Sequence, residues 1–234
     1  LKTTIIVSHP HYHDSGTQAF LNRASQQLED VTWHCLDEIY AHQSLDVAAE
    51  QALLRQTDRI IFQFPLYWYS APASLKHWED EVLTRAFTYQ NEQGILRGKE
   101  LGIVTTLGYP VAEFAVGRQQ GYSLSELFTP YQALAQQAGM KFLAPLPVSQ
   151  FAYLDAPARA RLLIRYQQYL TVQDPFRFAD QENWLEERLR KLAAKGTSAQ
   201  QDQLNLIIET MQHQQEKIED LKWQVQLMRQ AEEG

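Results

Sequence analysis

Over the first 175 positions apolar residues come in short β-rich runs, and between the runs they recur at helical spacing. The runs are Thr3–Ser8, Val31–Leu36, Arg59–Phe64, Leu101–Thr106 and Lys141–Pro145. Each is short, rich in β-branched or aromatic residues, and bounded by polar turns, which predicts buried strands. Thr17–Leu28, Asp46–Gln56, Pro72–Leu83, Ser123–Ala138 and Ala156–Leu170 repeat their apolar positions every three or four residues, which predicts helices. Strands alternating with helices predict an α/β domain, in which helices cover both faces of a five-stranded parallel sheet. Right-handed crossovers leave few connections, and the strand order 2-1-3-4-5 is a leading one.

The pattern changes at Asp174-Pro175, where the residue before proline is driven out of helical geometry. Residues 1–175 therefore read as one domain and 176–234 as a helical tail. A helix is expected over Asp180–Lys195, and Lys195-Gly196-Thr197-Ser198 reads as a helix stop followed by a new N-cap. From Leu204 a heptad can be written, with Leu204, Met211, Ile218 and Val225 at a and Ile207, Gln214, Leu221 and Met228 at d. Its stripe is expected to fold back on Trp184, Leu185, Leu189 and Leu192, leaving Ile208, Trp223 and Leu227 outside the seam. Hairpins of two subunits would then pair, giving a homodimer or a dimer of dimers.

Composition narrows the class. The 234 residues are 44% hydrophobic with a net charge of −7, and neither part has the basic excess that phosphate backbones demand, so no nucleic-acid partner is expected. No apolar run approaches the ~20 residues needed to span a bilayer. The opening segment Leu1–Val7 is too short for a secretory core and reads as a strand. The single Cys35 fits a reducing, cytoplasmic setting and, within a strand, reads as an inert thiol.

Chemistry is concentrated in three loops after predicted strand ends, the edge where open α/β sheets bind ligands. After the first strand, His9-Pro10-His11-Tyr12-His13-Asp14-Ser15-Gly16-Thr17-Gln18 feeds a helix start, whose amides and dipole suit an anion. An ordinary capped loop would read the same way. His9, His11 and His13 lack a matched carboxylate or cysteine spacing, so no metal is assigned. After the third strand, Pro65-Leu66-Tyr67-Trp68-Tyr69-Ser70-Ala71-Pro72 places three aromatics where a βα loop cannot bury them all. They suit a flat apolar ligand or, equally, a dimer patch. After the fourth strand, Thr105-Thr106-Leu107-Gly108 permits close approach of backbone to ligand. Together the loops describe a pocket with a phosphate end and an aromatic slot, the shape of a flavin mononucleotide site.

These residues carry a resemblance. His9-Pro10 with Ser15 and Gln18, then Pro65 to Pro72 followed by Leu75-Lys76 and Trp78, then Tyr89, Gly98-Lys99 and Val104-Thr105-Thr106, resemble the NAD(P)H:quinone oxidoreductase family of flavodoxin-like flavoproteins. The similarity is greatest to the branch containing the ancillary oxidoreductase of glutathione-gated potassium efflux systems. It covers about residues 1–172 and no part of the tail. It implies a flavodoxin-like sheet and FMN, with phosphate and ribityl contacts from His9, Ser15, Gly16, Thr17 and Gln18. Leu66, Tyr67, Trp68 and Tyr69, with Pro65 before them, would line the isoalloxazine, and Thr105, Thr106, Leu107 and Gly108 its other edge. FMN is expected over FAD because the first loop has no added segment for an adenosine.

The chain departs from the pattern at Gln18, where asparagine is common, and at Leu107, where the aligned residue is glycine. A Tyr and a His that polarise quinone in some relatives would stand near Phe114 and Gln119, which cannot act as acids. No catalytic side chain is therefore assigned, since the flavin carries the redox chemistry. The expected activity is two-electron reduction of a quinone or similar acceptor by NAD(P)H, in a ping-pong cycle. The alternative is a redox-sensing ancillary subunit that docks on a partner such as a potassium efflux system.

Overall fold

Every residue of Arg59–Pro65 is buried, and alternate positions serve two different cores. Ile60, Phe62 and Phe64 join Leu54, Leu75, Trp78, Tyr131 and Ala135 on one side. Ile61 joins Ile5, Val7, Leu21, Leu162, Tyr166 and Leu170 on the other. This period-two division is what a central strand needs when helices cover both faces. The computed structural model describes residues 1–89 and 94–232, so the end of the expected tail, residues 233–234, lies outside the described residues.

The strands are β1 (Thr3–Val7), β2 (Val31–Cys35), β3 (Arg59–Pro65), β4 (Glu100–Leu107), β5 (Lys141–Phe142) and β6 (Leu146–Ser149). All pair in parallel, in the order β2-β1-β3-β4-β5, with β6 also on β4. The expected order is met. Of the expected last strand, Lys141–Pro145, only Lys141–Phe142 is strand, and a second strand follows it from Leu146. Glu100 faces Lys141 and Leu101 faces Phe142, whereas Val104 faces Leu146. The outer side thus fits one more residue than β4 between the two pairings. Pro145 lies in that bulge, where it has no N–H to give to a ladder.

One face carries α1 (Gly16–Ser25) and α8 (Ala156–Thr171); the other carries α3 (Val47–Arg55), α4 (Ala73–Val82) and α7 (Thr129–Ala138). Short helices α2 (Leu36–Ile39), α5 (Arg85–Thr88) and α6 (Leu124–Leu127) complete the unit. The single helix expected over Ser123–Ala138 is broken at Phe128. Ser123 caps α6 through a box with Glu126, and Pro130 then opens α7, because proline suits a first turn and not an interior. Gly102 on β4 is required by packing. A Cβ there would lie 2.5 Å from the Tyr169 hydroxyl and 2.7 Å from Ile61 Cδ1.

The chain divides into two compact units, Leu1–Thr171 and Val172–Gly234, so Asp174-Pro175 lies in the connection that follows α8. The second unit holds α9 (Phe178–Ala193) and α10 (Ser198–Glu232). Thr197 donates its N–H to Gln200 Oε1 at 2.9 Å, which caps the start of α10. The two helices pack as a hairpin, with Gln212 Nε2 donating to Glu186 Oε1 at 2.7 Å. The face in use differs from the a/d seam. Ile208, expected outside, is buried at 3%, and Ile207, expected inside, is 48% exposed. The covered stripe runs Leu204, Ile208, Met211, Gln215, which follows the 3.6-residue period of a straight helix and not the 3.5 of a heptad. Leu192, expected on the matching face of α9, is 49% exposed. Among the described residues no helix is long and apolar enough to cross a membrane.

Candidate functional site

The parallel strands end at one edge, and the three loops follow from it. Ser8 extends β1, its N–H donating to the Gln63 carbonyl at 3.0 Å. The next N–H, of His9, donates to Asp37 Oδ2 at 2.6 Å. Ser74, at the start of α4, donates to the same Asp37 oxygen at 3.3 Å and lies 2.6 Å from Ser8 Oγ. Asp37 therefore ties the first loop to α2 and α4. It was not singled out in the sequence, although it stands in the first turn of α2, directly after the C-terminal end of β2, on the same edge.

His9 is buried, and its Nδ1 accepts the His11 N–H at 3.2 Å. Burial pushes its pKa down, with His11 adding to the effect and Asp37 opposing it. A neutral ring with Nδ1 accepting carries its proton on Nε2, which leaves Nε2 as a donor. Ser15 caps α1, its Oγ accepting the Gln18 N–H at 3.2 Å while its own O–H stays available as a donor. Gly16 is exposed, and a Cβ there would meet nothing within 4 Å. Thr17 follows in the same first turn, where amides have no partner within the helix.

Gln18 is fully buried. Its Oε1 accepts from Gln63 Nε2 at 2.6 Å, and Gln63 Oε1 accepts from the Tyr166 hydroxyl at 2.7 Å. Gln18 Nε2 is buried without a partner. Gln63 and Tyr166 went unnoticed in the sequence, though a glutamine inside the apolar run Arg59–Phe64 was a signal.

After β3 the backbone continues the ladder, Leu66 N–H donating to the Thr106 carbonyl at 3.0 Å. Pro65 is buried and Leu66 half-buried. Tyr67 and Ser70 then exchange N–H and carbonyl bonds at 3.0 Å each, closing a two-residue turn. Trp68 and Tyr69 occupy its centre at φ 50° and 63°. That is the primed turn geometry usually given to Asn-Gly, here imposed on two bulky side chains at a cost of about 1 kcal/mol or more each. Trp68 is 94% exposed, and Tyr67 and Tyr69 about half exposed. The Tyr67 ring meets His9 edge-on, centroids 6.4 Å apart, so the loops after β1 and β3 touch.

Across β4, Thr105 is fully buried with Oγ1 unpartnered. Thr106 is half-buried, and Gly108 is exposed. Leu107 is buried, with its carbonyl accepting the Gln150 N–H at 2.8 Å. Phe114 is buried and Gln119 exposed, with the Gln119 N–H 3.3 Å from Glu113 Oε2. Burial pushes the Cys35 thiol up to about 12, so it stays protonated. Among the described residues no three His, Cys, Asp or Glu side chains form a metal-binding group.

A second polar cluster centres on α3. Buried Glu50 accepts from Trp78 Nε1 at 2.8 Å and from the Tyr40 hydroxyl, and lies 2.7 Å from His34 Nε2. Burial would raise its pKa, but these hydrogen bonds outweigh burial and hold it below the ordinary value. Both oxygens are committed within the protein, which reads as an internal brace.

A family model described as a flavodoxin-like fold matches residues 1–170. Among curated proteins the chain is 42% identical over 144 residues to YrkL of Bacillus subtilis, described as an uncharacterised NAD(P)H oxidoreductase, spanning 61% of this chain and 82% of that one. It is 37% identical over 147 residues to KefG of Serratia proteamaculans, an ancillary protein of a glutathione-regulated potassium-efflux system, spanning 63% and 80%. Among solved structures, an NADPH-quinone reductase from P. pentosaceus superposes with a TM-score of 0.68 at 46% identity, over 73% of this chain and 98% of that one. General stress protein 14 from Treponema denticola, solved in complex with FMN, gives 0.66 at 31%, over 73% and 100%. The resemblance read from the loop motifs is met by these relatives.

Proposed function

The chain belongs to the flavodoxin-like family, and from that premise we propose that it is an NAD(P)H oxidoreductase that binds FMN and delivers two electrons to a quinone or similar small acceptor. The carrying observation is the contact between His9 and Tyr67, which sets a helix-capped, donor-rich loop beside an exposed aromatic turn. A ligand with an anionic end and a flat ring matches that pair. The relatives described as oxidoreductases and the neighbour solved with FMN support the reading.

The residues suit the cofactor on three counts. Gln18 Nε2 and Thr105 Oγ1 are buried polar atoms in want of partners. The space over Gly16 is open. The first loop offers donors without a Lys or Arg, so the helix dipole, amides and hydroxyls answer the phosphate charge. On this reading His9, Ser15, Gly16, Thr17 and Gln18 hold the phosphate and ribityl chain. Pro65, Leu66, Tyr67, Trp68 and Tyr69 line one side of the ring, and Thr105, Thr106, Leu107 and Gly108 the other. Bound FMN would supply the hydride acceptance and donation. The protein binds, orients and keeps water from the ring, and the exposed turn accepts nicotinamide and acceptor in alternation. Phe114 and Gln119 offer no proton, so acceptor protonation draws on solvent. A second subunit covering Trp68 would complete a homodimeric, cytoplasmic enzyme.

The likeness to KefG favours a second reading, a redox-sensing ancillary subunit that docks on another protein. One titration separates the cases. The purified chain should be yellow and should bleach anaerobically to two-electron-reduced flavin as NAD(P)H is added. A colourless protein that takes up no FMN ends the proposal, and a flavoprotein that NAD(P)H leaves oxidised favours the sensor.

A further inference from the structure

From Glu216 to Gln230 every side chain of α10 is exposed, about 22 Å of helix beyond the part packed on α9. Ile218, Leu221, Val225 and Met228 recur there at i, i+3, i+7 and i+10, at 41%, 59%, 49% and 64% exposure. That spacing makes one stripe, and a helix with such a stripe in water is stable only when something covers it.

Charge identifies the cover. Lys217 and Gln224 flank the stripe on one side, Lys222 and Arg229 on the other, and between residues 216 and 230 no acid stands beside it. The acids Glu216, Glu219 and Asp220 lie on the opposite face with Trp223 and Leu227. The Lys222–Glu219 pair at 2.6 Å is exposed and weak. A second copy in parallel would set Lys217 against Lys222. An antiparallel copy would set Lys222 and Arg229 against their own counterparts. Two heptads are short for a coiled coil, so the flanking charges decide whether they pair.

We propose that Glu216–Gln230 is a docking helix for another protein whose helical surface carries an apolar seam rimmed by Asp and Glu. This replaces the pairing of two hairpins expected from the heptad alone, and it is independent of the flavin reading. The arm engages by laying Ile218, Leu221, Val225 and Met228 into the seam while Lys217, Lys222 and Arg229 meet the acidic rim.

The full-length chain tests this with two labelled synthetic four-heptad helices, both with Leu at a and d, one with Glu and the other with Lys at e and g. Fluorescence anisotropy should show the Glu helix binding at least ~10-fold more tightly, with the difference shrinking between about 50 and about 500 mM salt. The triple variant K217E/K222E/R229E should reverse the preference. The variant L221S/V225S should bind neither helix, and sedimentation should show its subunit count equal to wild type. Equal binding of the two helices, binding of neither, or a subunit count that falls in L221S/V225S overturns the proposal.

Discussion

Gln63 donates from Nε2 to Gln18 Oε1 at 2.6 Å, joining the end of β3 to the first turn of α1 where neither side chain has exposed surface. Tyr166 sets the direction of this bond. Its buried hydroxyl hydrogen requires an acceptor, so Gln63 turns Oε1 towards Tyr166 and Nε2 towards Gln18. Gln18 then accepts with its oxygen and keeps Nε2 as an unmet donor. Gln63→Leu strands two groups and should cost about 1–3 kcal/mol in urea denaturation. If Gln18 faces phosphate, the same variant should lose affinity for FMN more than for riboflavin, which lacks the phosphate. An equal loss for both ligands would assign the network to stability alone.

Ser15 has two separable roles, cap and donor. Ser15→Asp keeps a capping oxygen for the Gln18 N–H and suits the helix dipole, so the fold should hold within about 0.5 kcal/mol. It also replaces an O–H with a negative charge. FMN retention should fall by about 10-fold or more while riboflavin binding changes little, both read by flavin fluorescence. If FMN binds Ser15→Asp as well as wild type, its phosphate lies away from α1.

Trp68 and Tyr69 hold left-handed backbone that glycine adopts freely. Trp68→Gly removes a side chain that is 94% exposed and so costs little packing. It should raise thermal stability by about 1 kcal/mol and lower flavin affinity and turnover together. Sedimentation on the same preparation separates ring binding from subunit packing. A variant that dissociates yet keeps its activity per site would make Trp68 an interface residue only.

Much of this was legible locally. Alternating apolar runs and helical spacings locate β1 to β4 and the helices between them, because each follows from contacts a few residues apart. The last strand and the helix over Ser123–Ala138 differ from expectation for reasons also local: pairing with β4 resumes past Pro145, where the expected strand ends, and Pro130 starts a new helix inside the expected one. Gln63 and Tyr166 are different, since their partnership spans 103 positions and no short window contains it. Ile208 and Ile207 differ by one residue, and only packing on α9 selects which faces inward. At the site, the loops were found from where they fall, at strand ends. Asp37 was missed because a lone carboxylate just after β2 acquires meaning only when His9 and Ser74 converge on it.

Glu79 on α4 makes the fold sensitive to pH. Its side chain is 12% exposed, Oε1 has no hydrogen-bond partner, and Lys76 Nζ lies 3.8 Å from Oε2. Burial raises its pKa from 4.5 to about 7, with Asp80 adding to the shift and Lys76 opposing it. Because the folded value exceeds the unfolded one, the native state takes up a proton between those two values. The associated stability is complete below pH 4.5 and is lost as pH rises through about 7. A shift of this size corresponds to about 3 kcal/mol at most. Glu79→Gln removes the charge at nearly constant volume. Its melting temperature should exceed that of the wild type at pH 8 by the equivalent of about 1–3 kcal/mol, and the two should nearly coincide at pH 4, below the unfolded value, where Glu79 is largely neutral in both states. A difference that stays the same from pH 4 to pH 8 would show that Glu79 does not titrate within that range.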